Sequence, residues 1–410
     1  MNPLFTFRIA AIAILRNKTR SFLTALGIII GVGAVIAMTA IGEGAKKVIE
    51  DQFAAMGTNL LIILPGSVTT SGSRGGSGTA ASLTWEDLKA IQTQLPTSVL
   101  TAAPSLSSNG TVVTEDQNWA TRVYGTTPEY FQVRNWPVAS GVAIQQSDVD
   151  SAAKIVVLGR SVVDKLYGPS ADPIGQMVRI KNIPYQVVGV AASKGQSAQG
   201  QDYDDAVFIP STTFVTKVQG GLQAYINGQI MVAALSSQTV AKAQQEVTDL
   251  LRERHKIRPG ADDDFNIRNL AEIASAQQEG TKTMTTLLAA VAAVSLVVGG
   301  IGIMNIMLVS VTERTREIGI RIAIGAKASD IMAQFLVEAL SLSVAGGILG
   351  VILGVGIAEG IAFQLKWPIL IRPFIILVSV GVSLLVGVVF GLYPSQKAAQ
   401  MDPIVALRTE

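Results

Sequence analysis

Four stretches of this chain are long and apolar enough that their backbone can only be helical in a bilayer. A helix needs about 20 apolar residues to cross about 30 Å of hydrocarbon. The runs 22–42, 284–311, 331–363 and 374–393 meet that need. In lipid every backbone polar group must bond within its own segment, so such runs become helices rather than loops or open sheet edges. The first two runs are separated by residues 43–283, which contain no comparable stretch. The fold class that follows is an α-helical membrane domain of four transmembrane helices plus one large extramembrane α+β domain. Composition agrees: 49% of residues are hydrophobic and only 15% charged, against about 25% charged in an average soluble chain.

The first run resembles a secretory signal in having a basic lead and small residues at its end. Its apolar core is longer than the roughly 7–15 residues of a signal peptide, so it reads as an uncleaved anchor. Lys and Arg in short loops set orientation. The arm 1–21 carries Arg8, Arg16, Lys18 and Arg20; the loop 312–330 carries Arg314, Arg316, Arg321 and Lys327; the tail 394–410 carries Lys397 and Arg408. The short loop 364–373 has only Lys366 and Arg372. Both termini are therefore expected in the cytoplasm and 43–283 outside it.

The residue inventory excludes much chemistry. There is no Cys and a single histidine, His255, so thiolate catalysis and paired-His zinc sites are ruled out. His255 lies between Arg254 and Lys256 and reads as a solvated surface side chain. The acidic runs Asp202, Asp204, Asp205 and Asp262–Asp264 lack the twelve-residue calcium-loop pattern and read as solvated loops. No metal and no bound cofactor are expected. The Gly/Ser-rich stretch 71–82 lacks a Gly-Lys-Ser/Thr ending and reads as a flexible loop rather than a phosphate cradle. A net charge of +2 points to no nucleic-acid partner.

Within 43–283, a helix continues out of the first membrane span to about residue 55, and 59–64 reads as a buried strand. Thr84 followed by Asp87 has capping-box spacing and opens a helix to about Gln94. A strand is expected at 98–103. A second strand–helix–strand set follows at 229–235, 236–255 and 264–268. These two βαβ-like pieces flank a β-rich insert at about 104–225, with strands at 110–114, 119–124, 155–158, 177–180, 185–190 and 207–210, and a helix at 160–167. Asn109-Gly110 and Pro184 read as turn signals. Trp119, Tyr124, Tyr130, Phe131 and Trp136 read as core packing.

Small residues recur at helix-packing spacing in the first span: Gly27, Gly31 and Gly33. Such spacing allows close backbone approach, and these glycines are the candidate dimer contacts. Buried polar residues inside the spans read as few: Asn305, Glu338 and Glu359. The two carboxylates sit near the ends of the third span and are read as reaching headgroups or water. No chain of ionisable groups marks an ion path.

The most specific segment is 312–327, Thr-Glu-Arg-Thr-Arg-Glu-Ile-Gly-Ile-Arg-Ile-Ala-Ile-Gly-Ala-Lys. Glu317 and Arg321 are spaced i,i+4 in the favourable order. Ile318, Ile320, Ile322 and Ile324 place more apolar surface beside these charges than a solvated loop needs. The segment reads as a docking element for a cytoplasmic partner, or as an interfacial segment lying on the membrane.

This segment resembles the loop after the second membrane helix of MacB/FtsX-type ABC transporter permeases (the mechanotransmission, or type VII, class). Residues 392–408 resemble the tail of those permeases, 17–31 their lead-in to the first helix, and 158–168 with 172–176 their periplasmic domain. The resemblance implies a porter-like part with an inserted sabre-like part. It implies a homodimer, or a heterodimer with a sister permease, in a bacterial inner membrane. It also implies contact with a cytoplasmic ABC ATPase subunit through Glu313, Arg314, Arg316, Glu317, Ile318 and Arg321. MacB itself carries its ATPase fused at the N-terminus. No Gly-x4-Gly-Lys-Ser/Thr occurs here, so ATP is expected on a separate subunit and no catalytic residue is assigned. The implied function is efflux of antibiotics, peptides or other amphiphiles, with a membrane-fusion protein and outer-membrane duct in a two-membrane cell. The alternatives are an FtsX-like regulator of a cell-wall hydrolase and LolC/LolE-like lipoprotein extraction. A membrane hydrolase is disfavoured because no nucleophile–base pair can be assembled.

Overall fold

The computed structural model describes residues 18–57, 59–66, 69–70, 73–74, 82–196, 201–221, 224–365 and 369–408. The basic arm with Arg8 and Arg16, most of the Gly/Ser-rich stretch 71–82, and Lys366 lie outside them. The helices, in chain order, are α1 (Lys18–Met56), α2 (Trp85–Gln94), α3 (Glu129–Val133), α4 (Gln146–Asp150), α5 (Arg160–Leu166), α6 (Ser211–Thr213, running into a π-helical turn at Phe214–Gln219), α7 (Val240–Arg254), α8 (Leu270–Glu313), α9 (Thr315–Ala323), α10 (Ala328–Leu365), α11 (Pro373–Ala399) and α12 (Pro403–Arg408). Two compact units divide the chain: 1–48 with 278–410, and 49–277.

The first unit is helical. Each expected span lies inside a longer helix, and α1, α8, α10 and α11 are all long and apolar enough to cross a membrane. Small residues set how closely they pack. A Cβ on Gly27 would lie 2.6 Å from the Gly299 Cα of α8, and one on Gly31 2.7 Å from Leu296. A Cβ on Gly33 would lie 3.3 Å from the Gly350 carbonyl oxygen of α10. The face read from the sequence as a dimer contact is thus occupied by helices of the same chain. Ile28, Val32 and Ile36 pack with Leu296, Ile303, Met307 and Phe335 around these glycines. Backbone proximity replaces the hydrophobic drive that lipid cannot supply.

The second unit is built on a ten-stranded mixed sheet in the order β12-β1-β11-β4-β5-β10-β7-β9-β6, with β8 pairing β4 and β9. Its first four strands are β1 (Leu60–Pro65), β4 (Val99–Val113), β11 (Gly228–Ala234) and β12 (Phe265–Asn269), and all pair antiparallel. With α2 after β1 and α7 after β11, they make a β-α-β, β-α-β set of ferredoxin-like order. The insert supplies β5 (Asn118–Thr126), β6 (Val138–Gly141), β7 (Ile155–Leu158), β8 (Met177–Ile180), β9 (Ile183–Ala191) and β10 (Ala206–Pro210). Outside this sheet, β2 (Thr69–Thr70) and β3 (Ser73–Arg74) pair with each other, a hairpin where only a loop was expected.

Cores form on both faces. One gathers Leu61, Ile63, Ile91, Val123, Phe214, Val232 and Leu251. The other gathers Tyr130, Phe131 and Trp136 around Phe208, whose ring lies 5.2–5.7 Å from theirs. These aromatics are therefore core, as read from the sequence, and Trp119 donates its indole N–H to Asp205 at 2.9 Å.

Two turn readings are corrected. Asn109 and Gly110 lie inside β4, paired with Arg122 and Thr121 of β5. The expected strands 98–103 and 110–114 are one strand, and its hairpin closes where the Thr114 N–H donates to the Gln117 carbonyl at 2.8 Å. Lacking a Cβ, Gly110 gives room to the Val123 side chain, which a Cβ there would meet at 2.9 Å. Pro184 lies within β9. The turn before it is Lys181–Asn182, with φ of +48° and +64°. Both are left-handed, as a type I′ hairpin requires.

Candidate functional site

The segment singled out by sequence forms a short helix anchored to its own membrane unit. Arg314 lies between α8 and α9, and its Nη1 donates to Glu338 Oε2 of α10 at 3.1 Å. Glu338 is buried, which corrects the reading that it reaches headgroups or water. Two turns into α9, Arg321 holds two partners at once. Its Nη1 donates to Gln334 Oε1 of α10 at 3.0 Å, and its Nη2 to Glu317 Oε1 at 2.5 Å. The pair with Glu317 is partly exposed and contributes about 0.3–0.5 kcal/mol. The Gln334 bond fixes the helix more firmly because Gln334 is itself buried.

Ile318 is fully buried and packs with Ile331 and Phe335. The next residue explains how the tail joins the site. A Cβ on Gly319 would lie 2.7 Å from the Ala406 Cβ of α12, so only glycine lets α12 lie on α9. Asp402 starts α12 by accepting the Ile404 N–H at 2.8 Å, and Pro403 at the first helical position suits a donor that would be unpaired anyway. Arg316 and Glu317 remain exposed, while Glu313 ends α8. Ile320, Ile324, Ile404, Val405 and Leu407 are exposed as well. The site is thus a two-helix platform of exposed apolar side chains rimmed by Arg316 and Glu317. Of the six residues picked from sequence, Arg314, Glu317, Ile318 and Arg321 hold this arrangement together. Sequence reasoning missed Gln334, Gly319 and Ala406, and named Glu338 without its partner Arg314. A carboxylate within an apolar helix next to a basic loop was a usable signal for Glu338.

Two further clusters of titratable groups lie in the second unit. His255 is partly buried and paired rather than solvated: its Nδ1 lies 2.8 Å from Asp264 Oδ1 and its Nε2 3.1 Å from Asp87 Oδ2. Burial disfavours the imidazolium, but the hydrogen bonds to Asp264 and Asp87 outweigh it and raise the His255 pKa. Burial also opposes the Asp87 carboxylate, yet hydrogen bonds from Thr84, Arg254 and His255 hold its pKa below the ordinary value. Asp204 is buried too, accepting the Lys194 N–H at 2.7 Å and the Gly195 N–H at 3.0 Å. Asp204 therefore organises a loop, contrary to the solvated reading, whereas Asp262 and Asp263 are exposed as read. Among the described residues no His/Asp/Glu group is arranged to hold a metal ion.

A family model of the MacB-like periplasmic core domain matches residues 21–250. The chain belongs to this family. A second model, the FtsX-like permease C-terminal region, matches residues 289–403, which include the whole α9 platform up to Pro403. The two matched models together take in most of the chain, and its 410 residues contain no Gly-x4-Gly-Lys-Ser/Thr. The macrolide export ATP-binding/permease protein MacB of Azoarcus sp. (strain BH72) is 45% identical over 98% of this chain and 59% of its own length. That of Syntrophobacter fumaroxidans is 40% identical over 96% of this chain and 62% of its own. The chain thus spans about three-fifths of the length of the curated relatives it matches. The periplasmic region of MacB from Actinobacillus actinomycetemcomitans aligns over 56% of this chain and 97% of that one, with 24% identity and a TM-score of 0.44.

Proposed function

We propose that this chain is the permease subunit of a MacB-type ABC transporter, paired in the inner membrane with a second permease subunit. In this reading both termini and α9 lie in the cytoplasm, and residues 43–283 outside it. A separate ABC ATPase docks on the α9–α12 platform, and its nucleotide-driven closure is converted into movement of the extracytoplasmic domain. The cargo class is amphiphilic: antibiotics, peptides or lipids, handed in a two-membrane cell to a membrane-fusion protein and outer-membrane duct.

The observation that carries the reading is the platform's combination of rigidity and exposure. Arg314–Glu338 and Arg321–Gln334 tie α9 to α10, so a push on α9 is delivered to a membrane helix rather than absorbed by a loop. Meanwhile Ile324 is 80% exposed and Ile404 70%, an apolar surface that a partner protein would cover. The test is affinity purification of the full chain from its native cells, followed by an ATPase assay. Wild type is compared with Ile324→Asp and Glu317→Arg, both exposed positions. Co-purification of a P-loop ATPase that either variant weakens at least tenfold supports the reading. An absent ATPase, or one retained equally by all three chains, removes the motor from the proposal.

A further inference from the structure

Strand β5 is paired along nearly its whole length on one side and along only part of it on the other. On the first side Asn118–Gly125 matches Val113–Leu106 of β4. On the second, β10 begins late: Ala206 pairs with Arg122, and the parallel ladder runs from there to Thr126. Residues 118–121 are therefore an open edge within the sheet. In an antiparallel ladder alternate residues turn both N–H and C=O away from the neighbouring strand, so half of this edge points its backbone groups at the vacant side. Among the described residues nothing on that side pairs with them.

A cavity of about 530 Å³ occupies the vacancy, a size within the range of about 300–1,000 Å³ usual for ligand sites. Its floor is the exposed face of the β4–β5 ladder, with Asn109 beside Arg122 and Thr111 beside Ala120. Asp202 and Asp205, just ahead of β10, line it as well. So does Thr121, which is 7% exposed and whose buried hydroxyl has no hydrogen-bond partner among the described residues. Folded proteins rarely leave a buried polar group unpaired, so this wall is short of a polar partner.

An open strand edge is complementary to a second backbone, and an extended peptide supplies one. Four residues at about 3.3 Å each give an edge of about 13 Å, enough for a short segment. Charge sets its direction. Two carboxylates against the Arg122 guanidinium leave the β10 end negative. Asp202 is committed to the Ser161 hydroxyl and the Asp204 N–H. Asp205 accepts the Trp119 indole N–H through Oδ1 at 2.9 Å, and its Oδ2 accepts from no described residue. A peptide antiparallel to β5 sets its amino end beside Asp205; a parallel one would bring a carboxylate there. The segment carrying Asp202 and Asp205 walls the cavity and leaves width for a single chain, not for the edge of a folded partner's sheet.

We propose that this cavity binds a short free peptide in extended form, antiparallel to residues 118–121 of β5, with its cationic amino-terminal residue on Asp205. The site lies wholly within the second unit, so it stands or falls separately from the ATPase platform.

The probe is the pentapeptide Lys-Val-Thr-Val-Thr, with a free amino end and a dye at its carboxyl end, read by fluorescence anisotropy against the full chain in lipid nanodiscs. Saturable binding is expected. Acetylating the amino end and replacing Lys with Glu should weaken it about tenfold or more. Asp205→Asn keeps an acceptor for Trp119 and should weaken the Lys probe about fivefold or more. Ala120→Trp, at an exposed position, should fill the cavity and abolish binding. Two further probes are N-methylated at alternate backbone nitrogens, one at the even residues and one at the odd. They should differ about tenfold, because only one set faces β5. This pair alters the peptide and not the protein, so it decides even where a variant fails to fold. No saturable binding, binding that survives Ala120→Trp in a folded chain, or equal affinity of the two methylated probes overturns the proposal. Peptide binding by a chain that brings down no ATPase keeps this site and removes the transporter reading; an ATPase with no peptide binding does the reverse.

Discussion

Replacing Asp87 with alanine should unlatch α2 from α7. The carboxylate is 2% exposed and accepts from four groups. Thr84 gives its backbone N–H at 2.9 Å and its hydroxyl at 2.6 Å, Arg254 its Nε at 2.6 Å, and His255 its Nε2 at 3.1 Å. Losing the capping box costs about 1 kcal/mol. Each charge-assisted hydrogen bond lost adds about 1.5–3 kcal/mol. Arg254 recovers part of this because it is 28% exposed and has Glu86 at 3.7 Å, whereas His255, its side chain 9% exposed, keeps only Asp264. The total is about 3–5 kcal/mol, the range for leaving a buried charge without its mate. For a domain of this size that lowers the unfolding midpoint by about 6–20 °C. The assay is thermal unfolding of the full chain in nanodiscs, with hydrogen exchange resolved by peptide. Protection should fall first in α2 and in residues 255–264. A midpoint within about 3 °C of wild type, or unchanged exchange in α2, would refute the idea that Asp87 joins the two helices.

The same cluster predicts a pH dependence. The raised His255 pKa contributes stability that is complete below its ordinary 6.5 and is lost as pH rises through the folded value. The lowered Asp87 pKa contributes stability complete above 3.8 and lost as pH falls below it. Unfolding midpoints should therefore peak between these limits and decline above neutrality, and His255→Gln should abolish the alkaline decline; a wild-type midpoint constant from pH 6 to 9 counts against it. Arg314→Ala should cost about 3–5 kcal/mol by stranding the buried Glu338, whereas the double change Arg314→Met with Glu338→Met should be within about 1 kcal/mol of neutral; denaturant titration of both variants checks this. Gly299→Ala should destabilise by about 1–3 kcal/mol, since its Cβ would meet the Gly27 carbonyl carbon at 2.8 Å, while Gly381→Ala, with open space around it, should not; detergent heat-aggregation midpoints separate the two.

The membrane helices were legible because their signal is length and hydropathy, which no tertiary context overrides. The Thr84 capping box was legible for the same local reason, and it is present as read. Strand positions in 155–158, 177–180 and 207–210 followed from β-branched runs bounded by turns. What failed was information held by partners distant in sequence. Asn109-Gly110 looks like a hairpin turn locally, yet pairing with Arg122 and Thr121 decides otherwise. His255 looks solvated between two basic neighbours, but Asp87, far away in the chain, folds over it. Small-residue spacing showed that helices approach closely and left open which helix answers; in the fold, Gly27 meets Gly299 of its own chain. Within the platform, the role of Gly319 became visible only with Ala406 beside it.

The single long β4 has a consequence for how the extramembrane domain can be altered. It runs 15 residues, from Val99 to Val113, about 50 Å at the usual strand rise. Its first half is hydrogen-bonded to β11 of the ferredoxin-like set, and its second half to β5 of the insert, with β8 joining at Val112 and Val113. The insert is therefore spliced into the sheet rather than hung from a hinge. Chimeras that exchange inserts between relatives should be cut in the turns beyond β4, because a junction within it would sever one ladder to preserve the other.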